Sequence, residues 1–188
     1  MKERTLVLIK PDGVVRNLIG KIITRFEDAG LKIIGMKMFW ADEEFAKQHY
    51  VLDEEWAKNV FMKTKTTHEK EGGKFPYKDH MEFGSLIQKW NVDFLRECPV
   101  VAIVLESPHA IEIVRKMTGA TEPKQAVPGT IRGDFATIES YAVANQKERV
   151  LRNLIHASDS EENAKREIAL WFSPKELHPY KKELDKHL

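Results

Sequence analysis

Three stretches of the chain carry the hydrophobic pattern of β-strands. Residues 5–9 (TLVLI) and 100–105 (VVAIVL) are short, uninterrupted apolar runs, as expected of buried strands. Residues 31–40 (LKIIGMKMFW) alternate apolar and polar positions, as a half-buried strand does. The sequence therefore predicts at least three strands, separated by long intervals of other structure.

Helical spacing of apolar residues fills two of those intervals. Apolar side chains within residues 19–26 recur at i, i+3, i+4 and i+7, and the pattern stops at Gly30. Residues 111–117 follow a Ser-Pro helix start and stop at Gly119. Strands and helices alternating in this order predict an α+β sandwich in which helices pack on one face of a small antiparallel sheet.

Two polar regions interrupt this alternation. A chain of 188 residues is most economically one domain, 1–188, with a real hydrophobic core. Residues 53–90 are rich in charge, glycine and proline and have little core-forming pattern over their middle. Residues 136–151 are a second candidate segment. We interpret both as insertions into the domain.

Charge and cysteine content exclude some classes of protein. Thirty Lys and Arg against 29 Asp and Glu give a net charge of +1, so a dedicated nucleic-acid-binding role is not expected. The single cysteine, Cys98, rules out an intramolecular disulfide and favours a reducing, cytoplasmic location. The longest apolar run is too short to cross a bilayer, so no membrane association is predicted.

Cationic residues fall at two places where the chain is expected to turn. Lys10 ends the first strand and precedes a Pro-Asp-Gly turn, where backbone amides also become available. Arg115, Thr121 and Arg132 lie in or next to a loop rich in glycine and proline. Guanidinium groups match phosphate oxygens with forked donors, so this set resembles an anion cradle, although such polar loops are often only solvated.

His156 is the most distinctive candidate for chemistry. If residues 154–158 are extended, His156 and Ser158 share one face of a strand that begins after Asn153. A lone histidine is most often a structural, hydrogen-bonded ring. Side-chain metal ligation is not favoured, because no second histidine or cysteine lies nearby at ligand spacing.

Glu167 gives His156 a more specific interpretation. On a helix over residues 160–172, Glu167 falls at the edge of an apolar stripe beside Trp171, and its helical neighbours at i±3 and i±4 include no cation. A partly buried carboxylate needs a tertiary partner. A histidine N–H is the natural one, and a carboxylate that holds one ring nitrogen leaves the other free to attack.

The order of several motifs resembles the nucleoside diphosphate kinase family. The motifs are LVLIKPDGV, the pair His49-Tyr50, RKMTGATEP, PGTIRGDF, and RNLIHASDS followed by EIALWF. The resemblance implies a ferredoxin-like α/β sandwich and a cytoplasmic homo-oligomer, either a hexamer or a tetramer. It also implies ATP binding and ping-pong transfer of the γ-phosphate from a nucleoside triphosphate to a diphosphate through a phosphohistidine at His156.

The same resemblance implies a role for each candidate residue. Glu167 would orient His156, Ser158 would support Glu167, and Tyr50 would close the pocket. Nucleotide contacts are implied for Lys10, Arg115, Thr121, Arg132 and Asn153, of which Lys10 and Asn153 would also reach the sugar hydroxyl. Mg²⁺ would bridge the phosphates, with water completing most of its shell.

The sequence departs from the family pattern in two places. His-Ala-Ser replaces the usual His-Gly-Ser, and the stretch between Tyr50 and Pro99 is longer than the short helical hairpin of the family. The aromatic residue that stacks on the base falls in this stretch, and Phe61, Phe83 and Trp90 all remain candidates. The insertions could line the nucleotide cleft, extend an oligomer interface or decorate the surface, and we favour surface decoration.

Two other classes of function are weighed against the kinase. A nucleic-acid-binding or regulatory protein on the same scaffold would have lost His156 or the phosphate cations, and all of them are present. A purely structural assembly protein would have no reason to keep these residues together. Incubation with γ-labelled ATP and a chase with a second nucleoside diphosphate separates the three.

Overall fold

The computed structural model describes residues 2–70, 72 and 75–182 of the chain. Its centre is a four-stranded antiparallel sheet with strand order β2-β3-β1-β4. The strands are β1 (Glu3–Ile9), β2 (Lys32–Phe39), β3 (Val100–Ser107) and β4 (Ile155–Ala157). This order, with helices between the strands, is the ferredoxin-like arrangement, and it confirms the predicted fold class.

The helices lie where the sequence pattern predicts them and also within both polar regions. They are α1 (Pro11–Val15), α2 (Ile19–Asp28), α3 (Glu43–His49), α4 (Glu54–Lys70), α5 (His80–Leu95), α6 (Ala110–Thr118), α7 (Ile131–Phe135), α8 (Tyr141–Gln146) and α9 (Glu161–Trp171). Short 3₁₀ turns cover Pro123–Gln125 and Pro174–Glu176. None of the helices in the described part of the chain is both long and apolar enough to span a membrane.

Helices cover both faces of the sheet, so the prediction of a single covered face is wrong. Leu6 and Leu8 of β1 belong to one buried cluster, which includes residues of α5 and α9. Val7 and Ile9 belong to a second cluster on the opposite face, with residues of α2 and α6. The physical reason is visible in the sequence, because a strand buried on both faces reads as a continuous apolar run rather than an alternation.

The register of the sheet places the histidine segment beside its central strand. Leu8 of β1 pairs with His156 of β4, and Val7 pairs with Ala157. Ile155 and Ala157 enter the cluster formed with α2 and α6, so the side chain of His156 lies on the other face. The predicted division of the two faces of this strand is therefore confirmed.

The first polar region forms a helical pair. Helices α4 and α5 pack closely, since a Cβ placed on Gly84 would lie 2.7 Å from the Cβ of Ala57. Phe83 is 2% exposed, so this region contains a small core that its polar composition conceals. Whether residues 53–90 and 136–151 are insertions stays a prediction.

Candidate active site

A strained residue shapes the entry to β4. Leu154 has φ of +66°, a backbone conformation that costs energy for any residue other than glycine. Three hydrogen bonds hold the local backbone: Lys10 N–H donates to the Leu154 carbonyl (2.8 Å), Leu154 N–H donates to Asp12 Oδ2 (3.0 Å), and Ile155 N–H donates to the Asn153 carbonyl (2.8 Å). This kink interrupts strict alternation of side chains, so Asn153 is not forced to the opposite face from His156.

His156, Glu167 and Ser158 form one hydrogen-bonded unit. His156 Nε2 lies 2.9 Å from Glu167 Oε2, and the Ser158 hydroxyl donates to the same oxygen at 2.6 Å. The Ser158 oxygen in turn accepts the N–H of Leu6 (3.2 Å). Because a carboxylate accepts only, the proton between them belongs to Nε2 of His156. Nδ1 then carries the lone pair, and it has no hydrogen bond to a described residue.

Glu167 is ionised in this setting despite its burial. It is 4% exposed, and burial alone raises the pKa of a carboxyl group. The charge and hydrogen bond of His156, followed by His49 and the hydrogen bond of Ser158, outweigh that effect and lower the pKa of Glu167 to about 2. The carboxylate is therefore available as an acceptor at every physiological pH.

One cation lies near Glu167 although it is not at a position three or four residues away on the helix. Arg166, adjacent in sequence, places Nη2 3.5 Å from Glu167 Oε1. The expectation of no local cation counted only positions three and four residues away, and adjacent side chains on a helix usually diverge. Arg166 is substantially exposed, so His156 and Ser158 remain the closer partners of the carboxylate.

Lys10, Asn153 and Thr121 form a second connected group. Lys10 Nζ donates to Asn153 Oδ1 (2.9 Å), and Asn153 Nδ2 donates to the Thr121 carbonyl (2.8 Å). Lys10 and Asn153 are buried, whereas Thr121 is exposed. Burial, followed by the nearby charge of Arg132, lowers the pKa of Lys10 to about 8.

Arg132 is partly committed to the fold. Its guanidinium donates to the carbonyls of Asn153 (Nε, 3.1 Å), Gly119 (Nη1, 2.9 Å) and Ile155 (Nη2, 2.7 Å). A guanidinium has five N–H donors, so one remains on each terminal nitrogen. Burial and then the charge of Arg115 lower the pKa of Arg132 to about 10, which leaves it charged at neutral pH and shows that the two guanidiniums interact.

Arg115 differs from the other cations. Its side chain is exposed on α6 and makes no hydrogen bond or ion pair with any residue that the structure describes. A long, unrestrained side chain near a fixed guanidinium is suited to bind an anion together with it.

His49 belongs to the motif His49-Tyr50, but the sequence predicts no role for it. The ring of His49 packs edge-to-face on His156 with a centroid separation of 4.8 Å, and it also contacts Tyr50 at 4.6 Å. The Tyr50 hydroxyl is buried and has no hydrogen-bond partner among the described residues. Burial, followed by the charge of Glu167, raises the pKa of Tyr50, so the phenol stays protonated.

His49, His156 and Glu167 also have the composition of a metal site. One ligand atom of each lies within 4.8 Å of the others. However, Trp171 Nε1–H donates to His49 Nδ1 (3.2 Å). A neutral histidine bound to metal through Nε2 carries its proton on Nδ1, where it would face the indole N–H. This geometry disfavours a resident metal at the three residues.

A cavity of about 210 Å³ adjoins the Lys10 group. Lys10, Thr121 and Asn153 line it together with Trp56, Trp90 and Val150. The two tryptophans come from α4 and α5, and residues of α8 complete the wall. The two polar regions therefore line the candidate site, contrary to the favoured expectation of surface decoration.

The cavity separates the three aromatic candidates for base stacking. Trp90 lines it, whereas Phe61 and Phe83 belong to an aromatic cluster with Phe75, with ring centroids 5.1 to 6.1 Å apart. Trp56 was missed, because nothing in its sequence context distinguishes a cavity-lining aromatic from a core one. Only the packing of α4 against α5 reveals its position.

This combination of fold and site defines a class of protein. A histidine with one nitrogen fixed by a carboxylate and the other unengaged, near a group of cations and an aromatic-walled cavity, is the arrangement of a phosphotransferase that carries the phosphoryl group on histidine.

Comparison with known proteins identifies the family. The nucleoside diphosphate kinase family model matches residues 3–72 and 60–177. A nucleoside diphosphate kinase of Pyrococcus horikoshii is 47% identical over 183 residues, covering 97% of this chain and 93% of that protein. The chain belongs to the nucleoside diphosphate kinase family.

Solved structures agree with this assignment. An NDP kinase from Pyrobaculum aerophilum superposes with a TM-score of 0.91 at 40% identity, covering 95% of this chain and 100% of that one. A transition-state mimic of the enzyme from Borrelia burgdorferi, with bound vanadate and ADP, gives a TM-score of 0.81 at 38% identity, covering 99% and 96% of the two chains.

The lowered pKa of Lys10 predicts a pH dependence of nucleotide affinity. Below about pH 8 the ammonium is charged in the free protein, and above it the proton is lost, so a phosphate loses one partner as the pH rises. The Kd for ADP should be flat from pH 7 to about 8 and then rise, by at most about tenfold per pH unit. Titration by calorimetry from pH 7 to 9 measures it.

The Lys10→Gln variant should bind ADP more weakly than the parent. Its Kd should not rise above about pH 8, because the amide does not titrate. Lys47→Gln is the matched control, since Lys47 is an exposed lysine of α3 that pairs with Glu43. A flat profile in the parent protein, or the same rise in the Lys10 variant, would refute the assignment.

Proposed function

We propose that Nδ1 of His156 is the nucleophile through which this chain transfers the γ-phosphate of a nucleoside triphosphate to a nucleoside diphosphate. The carrying observation is the hydrogen bond from Nε2 to Glu167, which leaves Nδ1 unprotonated. Its lone pair attacks the γ-phosphorus, the bond to the β,γ-bridging oxygen breaks, and the nucleoside diphosphate leaves. A terminal β-phosphate oxygen of the second diphosphate then attacks the phosphohistidine, and the P–N bond breaks.

Glu167 and Ser158 act behind the histidine. The carboxylate stabilises the positive charge that develops on the ring as Nδ1 forms its bond to phosphorus. Ser158 holds the carboxylate by its 2.6 Å hydrogen bond and is itself held by the backbone of β1. In the neutral ring with its proton on Nε2, Nδ1 carries the lone pair that attacks.

The cations bind the phosphates. Lys10, Arg115, Thr121 and Arg132 hold the phosphate chain, and the charge that spreads over the γ-oxygens in a loose transition state is met by their N–H and O–H donors. Lys10 and Asn153 also contact the sugar hydroxyl, a role supported by their direct hydrogen bond in the cavity wall. Tyr50 closes the pocket, and its hydroxyl, which has no partner in the described part of the chain, is a donor for the incoming substrate.

The family requires a divalent metal, and we propose Mg²⁺. The residues fit a metal held chiefly by phosphate and water, because Asp12 has a buried carboxylate oxygen, Oδ1, with no partner among the described residues. That oxygen is suited to accept a hydrogen bond from metal-bound water. Asp12 would hold this group through its water, and a divalent ion there would neutralise phosphate charge.

The segment that lengthens the chain supplies the base contact in this proposal. Trp90 stacks on the base, with Trp56 and Val150 completing an apolar clamp. The family model matches in two segments that overlap at residues 60–72, which supports an insertion within residues 53–90. Residues 136–151 are proposed as the second insertion into a single domain over 1–188.

Exposed apolar side chains support a homo-oligomer, a hexamer or a tetramer. Strand β2 lies at an edge of the sheet, and Met36, Met38 and, just beyond it, Trp40 are more than half exposed. His178 N–H donates to the Ile34 carbonyl on the outer side of β2, so the C-terminal segment covers part of this edge. The exposed large apolar residues along the rest of the strand form a favourable surface for association with another copy. The single cysteine, Cys98, supports a cytoplasmic location.

Replacing the nucleophile tests the reaction type. Label from γ-labelled ATP should appear on the protein as an acid-labile adduct and pass to a second nucleoside diphosphate in a chase. His156→Ala should abolish labelling, whereas His109→Asn, a change at an exposed histidine whose positive φ suits asparagine, should label as the parent does. Substantial labelling of the His156 variant would show that another residue is the nucleophile.

Glu167→Gln keeps the size of the side chain but removes its charge. Nucleotide binding should survive, while phosphorylation of His156 should slow by roughly 10- to 1,000-fold, about 1.4 to 4 kcal/mol of barrier. Stopped-flow measurement at saturating ATP gives this rate. A rate within about twofold of the parent in a folded variant would reduce Glu167 to a structural residue.

Trp90→Ala should weaken binding of purine and pyrimidine diphosphates alike, by roughly 5- to 100-fold, because stacking is available to every base. Phe61→Leu, a change outside the cavity, should leave affinity within about twofold. Specificity constants for different bases should lie within about two orders of magnitude. A requirement for one base, or a larger effect at Phe61, would contradict the stacking assignment.

A further inference from the structure

The ring of His49 lies between the hydrophobic core and the rings of Tyr50 and His156. It ends α3 and is 3% exposed. Its imidazole makes edge-to-face contacts with the rings of Tyr50, His156 and Trp171, at centroid distances of 4.6, 4.8 and 5.6 Å and interplanar angles of 67°, 87° and 86°. Trp171 lies on the core side of the His49 ring, and His156 and Tyr50 lie on the side of the proposed active site.

Trp171 determines the tautomer of His49. The indole N–H can only donate, and it donates to His49 Nδ1 at 3.2 Å, so Nδ1 is unprotonated and the neutral ring carries its proton on Nε2. Trp171 is 2% exposed and is itself held edge-on by Phe39 and Phe45. Burial, followed by the charge of His156, lowers the pKa of His49 well below the ordinary value. The ring is therefore neutral and fixed in orientation.

The other nitrogen of His49 is not explained by packing. Nε2 is buried and makes no hydrogen bond to any residue in the described part of the chain. A buried donor without a partner is unfavourable, whereas an apolar ring would instead leave the buried Trp171 N–H without its acceptor. Histidine at this position therefore satisfies Trp171 through Nδ1, and it leaves Nε2 as a donor that the packing does not use.

We propose that His49 is a positioning residue for phosphoryl transfer. Fixed by Trp171, it restrains the ring plane of His156 from the side, while Glu167 restrains the ring through Nε2. Together they hold Nδ1 in the orientation for attack, and the same contact places the Tyr50 ring. Neutrality of His49 is part of the arrangement, since a second cation beside His156 would oppose the positive charge that develops there during transfer. The inference rests on the proposed role of His156.

Two substitutions distinguish the contribution of the His49 ring from that of its hydrogen bond with Trp171. Asparagine can keep an acceptor near Nδ1 for the Trp171 N–H but removes the ring, whereas phenylalanine keeps a ring and loses the acceptor. His49→Asn should slow phosphorylation of His156 at saturating ATP by roughly 10- to 100-fold, because small displacements of a nucleophile have large effects on rate. The Kd for ADP should stay within about twofold, and His49→Phe should recover on the order of half or more of the lost rate on a logarithmic scale.

Ala46→Gly is the matched control for loss of stability. Ala46 is buried on the same helix and in the same cluster but makes no ring contact with His156. Its variant weakens α3 and should phosphorylate within about threefold of the parent. Rates are compared at temperatures where each protein is fully folded.

The outcomes distinguish this inference from the assignment of His156. If label in the parent does not reside on His156, both are overturned. If it does, a His49→Asn rate within about threefold of the parent, or a loss matched by Ala46→Gly, overturns the role of His49 alone.

The parent protein provides a test that does not depend on folding of a variant. Nitrogen-15 NMR of protein with ring-labelled histidine identifies the His49 signal, because that signal is absent from the His49→Phe variant. At pH 7 the His49 ring should be neutral and protonated on Nε2. It should stay neutral at about pH 6.5, the ordinary histidine pKa. A protonated His49 at pH 7, or a proton on Nδ1, would overturn the proposal.

Discussion

The hydrogen bond between Glu167 and His156 is the interaction on which the rest of the site depends. It is the carboxylate that decides which ring nitrogen holds the proton, and thereby which nitrogen is available to phosphorus. A buried carboxylate is stable only with partners, so Ser158 and the backbone of β1 complete the arrangement. Strand β4 and helix α9 are therefore joined at Glu167 Oε2, and the Ser158 hydroxyl connects that oxygen to the backbone of β1. The same contacts serve the chemistry and the fold.

The cations of the site also serve both the fold and the binding of phosphate. Burial lowers the pKa of Lys10 to about 8 and that of Arg132 to about 10, and both keep a charge at neutral pH because these values stay above 7. Arg132 uses three of its donors to fix the loop before β4 and retains others for an anion. The exposed side chain of Arg115 makes no hydrogen bond or ion pair with a described residue. A fixed and an exposed guanidinium together can bind a phosphate that arrives and leaves in each cycle.

Residues that take no part in the reaction still determine the geometry of the site. The strained backbone of Leu154 brings Asn153 and His156 to one site, and the hydrogen bonds from Lys10 and to Asp12 hold that strain in place. Helices α4, α5 and α8 form the wall of the cavity beside Lys10. Their polar composition conceals this role, because a helix pair that lines an open site buries little of its own surface.

The sequence alone determined the strands, helices α2, α6 and α9, and the family, and it proposed the reacting residues, but it did not predict the long helices α4 and α5. Apolar runs and helical spacing are local properties, and Glu167 could be placed at an apolar edge because a helix fixes its periodicity. Only the tertiary structure decided that both faces of the sheet are covered, that Trp90 lines the cavity while Phe61 and Phe83 do not, and that His49 lies against His156. Those relations join residues far apart in the chain, and no local periodicity encodes which distant side chain a ring will meet. The tautomer of His49 is set by Trp171, 122 positions away along the chain, so it follows from packing and not from the neighbouring residues.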